Sequence, residues 1–141
     1  IHSKVAESPI LWVAPLRHRF IQLFEEMDIQ SSWLFSAQWQ SIPQPIQALT
    51  LARVAEEALN NIVNHSNATQ VTVSLTETED PSIVLEIRDN GVGFDPNFIQ
   101  EGLHVGLHSM LVRVQRVGGF FDITSQLNET VIKVTFFRQK I

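Results

Sequence analysis

The chain has 141 residues, of which 44% are hydrophobic and 18% are charged, which suits one domain with a single core and excludes a wholly disordered protein. Fifteen acidic residues against ten basic ones leave a formal charge of -5, which disfavours a nucleic-acid partner because binding to phosphates needs the opposite sign. The chain has no cysteine, so disulfides, thiolate nucleophiles and thiolate zinc sites are excluded.

The first residues carry no targeting or membrane signal. The longest apolar run, residues 10–16, is far too short to cross a bilayer and contains Pro15. No basic segment leads into an apolar one, so a signal peptide is not indicated. Because the chain starts at Ile1 rather than at a methionine, we expect a piece of a longer protein. The absence of cysteine is compatible with the reducing cytoplasm, where we expect this piece to lie. The piece itself would make no direct membrane contact, even if its parent is anchored in a membrane.

The first third of the chain predicts a helix, a strand and a loop. From Pro15 onward, apolar residues recur at helical spacing, which predicts an amphipathic helix that ends near Asp28. Residues 31–38 alternate between apolar and polar side chains, as a half-buried strand does. Residues 41–45 contain two prolines and form the loop that leads into the next helix.

The middle of the chain predicts a long helix followed by a hairpin. Residues 46 to about 65 carry a buried stripe with a period near 3.6. Residues 70–77 and 83–88 alternate in the strand manner, and Asp80-Pro81 supplies the turn between them. We therefore expect these two strands to be antiparallel neighbours.

The last third predicts an irregular segment, a helix and two strands. Residues 94–105 have no convincing period and are a candidate for a mobile functional loop. Gly106 opens a helix that Gly118-Gly119 closes, and residues 120–125 and 130–137 alternate as strands. Three helices on one face of a five-stranded mixed sheet would cover all the apolar faces. The predicted fold is therefore a two-layer α/β (α+β) sandwich.

Two polar side chains mark the long helix. Glu57 and Asn61 are four residues apart, so both point the same way at the margin of the buried stripe. An amide oxygen suits Mg²⁺ that a phosphate chain already holds, and a carboxylate can act as a base or as a partner for metal-bound water. The alternative is an ordinary polar pair on a helix surface.

A carboxylate and two glycines follow the strand at residues 83–88. Gly91 and Gly93 let the backbone turn away from Asp89 and leave a flat slot beside the acid. Adenine fits such a slot, since Asp89 can accept a hydrogen bond from its exocyclic amine while Ile87 or Val92 covers one face of the ring. The alternative is a simple Asn-Gly hairpin turn.

A third glycine-containing segment precedes the last helix. Gly102 and Gly106 would free backbone N–H groups to face a phosphate at the positive end of the helix dipole. The segment is neither a Walker A loop nor a dinucleotide fingerprint, and it could be a plain loop before a helix. His104 and His108 flank Gly106 with no obvious third ligand, so a metal site between them is disfavoured.

The order of these three features resembles the N, G1 and G2 boxes of the GHKL (Bergerat-fold) ATPases. Within that superfamily the chain is similar to the catalytic ATP-binding domain of two-component sensor histidine kinases, in the subgroup that includes nitrate sensors and membrane-fluidity sensors. The likeness runs from about Leu16 to Phe137. The matching residues are Glu57-x-x-x-Asn61, Asp89-x-Gly91-x-Gly93 and Gly102-x-x-x-Gly106-Leu107.

The resemblance implies ATP and Mg²⁺ as cofactors and gives each matching residue a role. Asn61 would ligate Mg²⁺ that bridges the triphosphate, and Glu57 would be the catalytic residue that orients or deprotonates the attacking group. Asp89 would bind the adenine amine, and Thr130 would support the same water-linked network. The remaining matches would bind nucleotide by shaping the slot or by flanking a loop that closes over the phosphates: Gly91, Gly93, Gly102, Gly106 and Leu107. His65 would pack under the nucleotide.

The resemblance also implies what the chain leaves to other segments. The phosphoacceptor histidine of such kinases lies on an upstream dimerising helical hairpin, and a response regulator acts downstream. Residues 1–14 would be a lead-in from that hairpin, and residues 15–141 would be the ATP-binding domain. Three residues depart from the subgroup's pattern and put catalytic competence in question: Asn64 in place of a basic residue, Val112 in place of an acidic one, and Glu129 in place of a glycine.

Two alternatives to the histidine kinase reading remain open on the sequence. A degenerate relative could keep the fold and use it to bind a protein partner, as the missing positive charge at Asn64 would allow. An anti-sigma-type kinase on the same fold would phosphorylate a partner serine instead of a histidine.

Overall fold

The computed structural model describes residues 9–36, 39–40, 43–92 and 101–137, with side chains from Val13 in the first helix and from Gly106 in the last. The described residues form three α-helices, one π-helical turn and five strands. In chain order these are α1 (Pro9–Glu26), β1 (Gln30–Phe35), α2 (Pro45–Asn61), the π-helical turn (Ile62–Ser66), β2 (Gln70–Glu77), β3 (Ile83–Asp89), α3 (Glu101–Arg116), β4 (Phe120–Gln126) and β5 (Glu129–Phe136).

The five strands form one mixed sheet in the order β1-β2-β3-β5-β4. β1 runs parallel to β2, and the other three pairs are antiparallel. β2 and β3 are therefore antiparallel neighbours, as their alternation predicted. The register places Asp89 opposite Thr130, and Thr130 opposite Ser125, so the ends of three adjacent strands bring these polar side chains to one edge of the sheet.

The helices cover one face of this sheet, and the core lies between the two layers. Alternate residues of β2, β3 and β5 are buried, and their neighbours in sequence are less buried, as expected for a sheet packed on one side. The central helix α2 contributes Leu51, Val54, Ala55, Ala58 and Leu59 to the core, all of them 1% exposed or less. These observations confirm the predicted two-layer architecture with three helices and a mixed five-stranded sheet.

Local signals explain where several elements begin and end. α2 begins with Pro45 in its first turn, and Gln44 and Gln47 form a reciprocal capping box. α3 ends where Gly118 takes a φ of +82° and the Gly119 N–H bonds to the Val114 carbonyl, so the predicted glycine cap is present.

Two helix starts differ from the sequence prediction. α1 begins at Pro9 and contains Pro15, which is exposed, whereas the pattern predicted a start at Pro15. Val13, one residue before the predicted domain boundary, is 1% exposed and belongs to the core. α3 begins at Glu101, so Gly102 lies within its first turn and not in the predicted loop. In both cases the sequence prediction gave the helix-breaking character of one residue, Pro15 or Gly102, more weight than the residues around it.

The predicted helix over residues 46–65 divides into two parts. α2 ends at Asn61, and residues Ile62–Ser66 form a π-helical turn that Asn67 closes with a left-handed φ of 53°. Single π-helical turns of this kind are frequent at functional sites. Of the described helices, none is long and apolar enough to cross a membrane.

Candidate functional site

A pocket opens at the edge of the sheet where β3 ends, below α2 and the π-helical turn. Its empty space, including the solvent at its mouth, is about 490 Å³. The walls are mainly apolar, and a small number of polar groups converge in it, which is the usual composition of a ligand site. The lining residues are Ala58, Asn61, Ile62, His65, Ser66, Ile87, Asp89, Leu107, Ile123, Thr130 and Ile132.

Four of the residues that the sequence predicted as ligands line this pocket. They are Asn61, Asp89, Leu107 and Thr130. Asn61 comes from α2, Leu107 from α3, and the other two from β3 and β5, so four separate elements meet here. Of the two candidates for covering an adenine ring, Ile87 lines the pocket, while Val92 is 52% exposed and does not.

Asp89 is the buried carboxylate of the pocket. The residue is 6% exposed, and burial raises the pKa of its carboxyl above the ordinary value of 3.8. The Gly91 N–H donates to Asp89 Oδ1 at 2.8 Å, which acts in the opposite direction and lowers the pKa. That bond orients the carboxylate, and the pocket wall on which Asp89 lies gives a ligand access to it.

Gly91 lies against the π-helical turn so closely that no side chain fits. A Cβ at this position would lie 2.3 Å from the Ser66 carbonyl oxygen and 2.7 Å from Ser66 Cβ. The next residue, Val92, donates its N–H to the same carbonyl at 2.8 Å. Gly91 is thus required for close backbone approach, and the contact joins the Asp89 loop to the end of α2.

Asn90 is a positioning residue that the sequence reasoning missed. Its Oδ1 accepts the backbone N–H groups of Thr69 at 2.8 Å and Gln70 at 2.9 Å, and its Nδ2 donates to Thr69 Oγ1 at 2.9 Å. The side chain therefore fixes the strand end that carries Asp89 to the start of β2. The Asn-Gly pair was the available signal, but it was considered only as a hairpin turn.

Thr130 is buried and has a hydroxyl partner on the adjacent strand. Ser125 Oγ and Thr130 Oγ1 are 2.8 Å apart, and Thr130 is 8% exposed. Because Thr130 lies opposite Asp89 on one side and Ser125 on the other, the three residues form a polar row across β3, β5 and β4.

Asn61 and Glu57, one turn apart on α2, line two different pockets. Asn61 lines the pocket, and its Nδ2 is a buried side-chain nitrogen without a hydrogen-bond partner in the described part of the chain. Glu57 lies one turn earlier, is exposed, and lines an adjoining pocket together with Gly106. A Cβ on Gly106 would lie 2.7 Å from Glu57 Oε1, so the end of the Glu57 side chain lies close to the α3 backbone.

The structure also locates the remaining sequence expectations. Gly93 lies outside the described residues, and Gly102 is described only as part of the backbone of α3. His65 is exposed and lines the pocket, and its packing under a nucleotide stays a prediction. Of the three departures, Asn64 is exposed, Val112 is half-buried on α3, and Glu129 pairs with Arg88 at 3.1 Å.

The donor set near Asn61 fits a magnesium ion held mostly by a ligand. No group of three or more His, Cys, Asp or Glu side chains among the described residues could hold a metal alone. Asn61, with an unpartnered amide beside the pocket, can supply a neutral oxygen after rotation of that amide. Magnesium commonly takes one or two protein ligands and completes its shell with phosphates and water, which agrees with this arrangement.

Comparison with known proteins decides the family. A family model described as the histidine kinase-, DNA gyrase B- and HSP90-like ATPase matches residues 46–140, well over half of the chain. The chain belongs to this ATPase family. The match begins near the start of α2 and includes every residue that lines the pocket.

Curated relatives of this ATPase domain are named as a histidine-protein kinase/phosphatase and a sensor protein. The signal transduction histidine-protein kinase/phosphatase UhpB of Salmonella typhimurium is 37% identical over 106 residues, which are 72% of this chain and 21% of UhpB. The sensor protein VraS of Staphylococcus epidermidis is 43% identical over 77 residues, which are 53% of this chain and 21% of VraS. The chain spans about a fifth of the length of these relatives.

Solved structures share the fold. The Acinetobacter baumannii histidine kinase AdeS superposes with a TM-score of 0.71 at 13% identity, covering 89% of this chain and 62% of the AdeS chain. The mycobacterial sensor histidine kinase MprB gives a TM-score of 0.63 at 21% identity, covering 87% and 92%. The likeness confirms the predicted sandwich of helices on a mixed sheet.

Proposed function

We propose that this ATPase domain binds Mg-ATP and transfers the γ-phosphoryl group to a histidine on a separate segment of a sensor kinase. The observation that supports the proposal most strongly is the convergence of Asp89, Thr130 and Asn61 on one mainly apolar pocket. In that pocket an acceptor for an amine and an amide oxygen for a cation lie on walls contributed by different elements.

The β3 end of the pocket would hold the adenine. Asp89 Oδ2 accepts a hydrogen bond from the exocyclic amine, while the Gly91 N–H keeps Oδ1 engaged. Ile87 and Ile132 supply apolar contacts for the ring. Thr130, bonded to Ser125, offers its hydroxyl to a ring nitrogen or to a bridging water. Gly93 would complete this slot.

The α2 end of the pocket would hold the phosphates. Asn61 provides the amide oxygen for Mg²⁺, which neutralises charge on the phosphate chain when bound. The first turn of α3, which contains Gly102, would offer free backbone N–H groups to the phosphates. Leu107 lines the pocket, and Gly106 lines the adjoining pocket together with Glu57. Asn64 supplies no positive charge here, so we expect weak nucleotide affinity.

Phosphoryl transfer would take place at the α2–α3 contact. The acceptor imidazole nitrogen attacks the γ-phosphorus in line, a P–N bond forms, and the P–O bond to the β-phosphate breaks to release ADP. Glu57 is exposed at this point, where it can orient the imidazole or accept its proton. The protein's contribution is mainly positioning and charge neutralisation.

The proposed partners follow from the reaction. They are ATP and ADP, a histidine-bearing dimerisation segment of the parent protein, and a response regulator that receives the phosphoryl group. We place the domain in the cytoplasm, where ATP is available. A pure interaction module and a serine kinase are both less well supported, because the curated relatives are named as a histidine-protein kinase and a sensor protein.

Calorimetric titration with ATP tests the magnesium ligand. We expect Mg²⁺ to tighten nucleotide binding to the wild-type chain and Asn61→Ala to abolish that effect. Asn60→Ala is the matched control, since Asn60 is the exposed neighbour on the same helix. Equal magnesium dependence in all three proteins would contradict the assignment of Asn61.

Acid treatment of the labelled product tests the acceptor. A protein that contains this domain and its acceptor segment, incubated with γ-labelled ATP, should lose the label in acid and keep it in alkali, as phosphohistidine does. Retention of label in acid would indicate a phosphoserine and the anti-sigma type of kinase. No label at all, with intact nucleotide binding, would favour the interaction module.

A further inference from the structure

Asn90 and Gly91 form the single Asn-Gly pair of the chain. In such a pair the backbone nitrogen of the glycine can attack the side-chain amide carbon of the asparagine, because glycine has no Cβ to hinder the approach. Asparagine counts among the thermolabile residues of proteins. The pair directly follows Asp89, which lines the pocket, so a chemically labile bond lies beside the candidate ligand site.

The folded structure engages both groups that would react. Asn90 Oδ1 accepts the backbone N–H groups of Thr69 and Gln70, and Asn90 Nδ2 donates to Thr69 Oγ1. The attacking nitrogen, Gly91 N, donates its hydrogen to Asp89 Oδ1 at 2.8 Å. For the reaction, the amide carbon of Asn90 must turn toward Gly91 N, so these hydrogen bonds must first break.

The packing of Gly91 means that the lability cannot be removed by a larger residue. A Cβ at this position would lie 2.3 Å from the Ser66 carbonyl oxygen, which also accepts the Val92 N–H at 2.8 Å. The chemical stability of the Asn90-Gly91 bond therefore depends on the closed loop and not on a hindering side chain. Such loops open locally, without unfolding of the whole domain.

We propose that Asn90 is a deamidation site that becomes reactive when the Asp89 loop leaves the π-helical turn, and that the reaction disables the pocket. Gly91 N loses its proton to hydroxide and forms a bond to the side-chain carbon of Asn90. The bond from that carbon to Nδ2 breaks, and the nitrogen takes a proton from water and leaves as ammonia. Water then opens the cyclic succinimide at either carbonyl and gives aspartate or isoaspartate.

Every product of this reaction disturbs the position of Asp89. In the succinimide, Gly91 N carries no hydrogen, so its bond to Asp89 Oδ1 is lost. In isoaspartate the main chain is longer by one carbon, next to the place where Ser66 leaves no room for an added carbon. In aspartate a second carboxylate follows Asp89, and the donor to Thr69 Oγ1 is lost.

Bound nucleotide should protect the site. The loop that must open carries Asp89, so a ligand held by Asp89 favours the closed loop. This part of the inference rests on the proposed function, since it takes ADP as the ligand. The reactivity of Asn90 itself does not depend on which ligand the pocket binds.

Peptide mass mapping of the chain, aged at mildly alkaline pH, measures the reaction at Asn90. We expect the folded chain to deamidate there at least about tenfold more slowly than the chain in denaturant, because the loop must first open. Equal rates in the folded and the denatured chain would overturn the proposal. An unmodified Asn90 in the aged, denatured chain would also overturn it.

Two substitutions of the exposed Thr69 test the hydrogen bonds that hold the amide. Thr69→Val removes the acceptor of Asn90 Nδ2 and should speed deamidation of the folded chain about threefold. Thr69→Ser keeps a hydroxyl and is the matched control, which should react at the wild-type rate. Circular dichroism checks that both variants are folded. Equal rates in the two folded variants would contradict the protective role of these bonds.

Calorimetry tests the consequence for the pocket. The deamidated fraction, separated by ion exchange through its added negative charge, should bind ADP at least about tenfold more weakly than the unmodified fraction. ADP at about a hundred times its dissociation constant should slow deamidation of the folded chain at least about tenfold. Equal affinity of the two fractions, or no protection by bound ADP, would overturn the proposal. Absence of ADP binding by the unmodified chain would instead refute the proposed function, and the comparison of folded with denatured chain would still test the deamidation site.

Discussion

The pocket at the end of β3 and the surface groove between α2 and α3 that Arg53, Arg113 and Arg116 line differ in how their polar groups are held. In the pocket, the Asp89 carboxylate is buried and bonded to a backbone N–H, and its loop is held by Asn90. In the groove, Arg53, Arg113 and Arg116 are exposed and have no ion pair among the described residues.

This difference matches two kinds of ligand. A rigid, buried site recognises a small planar molecule, because its groups need no rearrangement when the ligand enters. Exposed arginines suit a charged ligand that is attracted from solution and released readily. The same helix, α2, thus contributes residues both to a buried site and to an exposed charged surface.

The largest expected effect comes from Gly91→Ala. The added Cβ would meet the Ser66 carbonyl oxygen at 2.3 Å, so the Asp89 loop must move away from the π-helical turn. We expect a loss of about 2 kcal/mol in the free energy of unfolding and loss of measurable ADP binding. Denaturant unfolding and calorimetry check both. Val92→Ala, at the exposed neighbour, should change neither, and a tolerated Gly91→Ala would show that the loop is not fixed.

The second-largest expected effect is that of salt, which should act differently on the pocket and on the groove. Raising the ionic strength from low to about 0.5 M screens exposed charges but hardly affects a buried carboxylate. We expect phosphohistidine formation to fall roughly tenfold through weaker binding of the histidine-bearing segment, with a much smaller change in ADP affinity. Stopped assays and calorimetry at matched salt concentrations measure the two. Equal salt dependence of both would remove the distinction between pocket and groove.

Asp89→Asn should stabilise the protein while it removes function. The folded state raises the pKa of Asp89 above 3.8, so the folded protein binds this proton more tightly than the unfolded chain does. The ionised carboxylate therefore costs stability at neutral pH, and this cost disappears as the pH falls through the raised pKa toward 3.8. We expect the variant to gain about 1 kcal/mol at pH 7 and progressively less in acid. Unfolding curves measured over a range of pH check this prediction. If burial is not the cause, the difference in unfolding free energy between Asp89→Asn and the wild type would be the same at every pH.

Ser125→Ala should have the smallest effect. It removes the hydroxyl that bonds Thr130 at 2.8 Å but leaves the pocket lining in place. We expect ADP affinity to fall about threefold, with little change in stability. Ser125→Thr keeps a hydroxyl and should restore binding. A tenfold or larger loss in Ser125→Ala would mean that Ser125 contacts the nucleotide itself.

Most of the fold was predictable, because periodicity determines which faces are buried. The strands at residues 70–77 and 83–89 match their alternation closely, and the glycine cap at Gly118 was recognised from its residue type. The starts of α1 and α3 were not predictable, because Pro15 and Gly102 are tolerated inside helices whose other residues supply enough packing or hydrogen bonding.

The ligand candidates were predictable from their order along the chain, but the contacts that hold them in place were not. Asp89, Asn61 and Thr130 were identified as candidate ligands and line one pocket. The contact between Gly91 and Ser66 joins residues far apart in sequence, and no local pattern indicates it. The groove could not be predicted from the sequence either, because its arginines lie on two helices and converge only when those helices pack.

Calorimetric titration of ADP into the isolated chain tests the central claim most directly. Wild-type protein should bind ADP saturably, Asp89→Asn should lose at least about tenfold in affinity, and Asp122→Asn, at an exposed aspartate of β4, should bind as the wild type does. Identical affinity in the wild type and in Asp89→Asn would contradict the assignment of this pocket to the nucleotide.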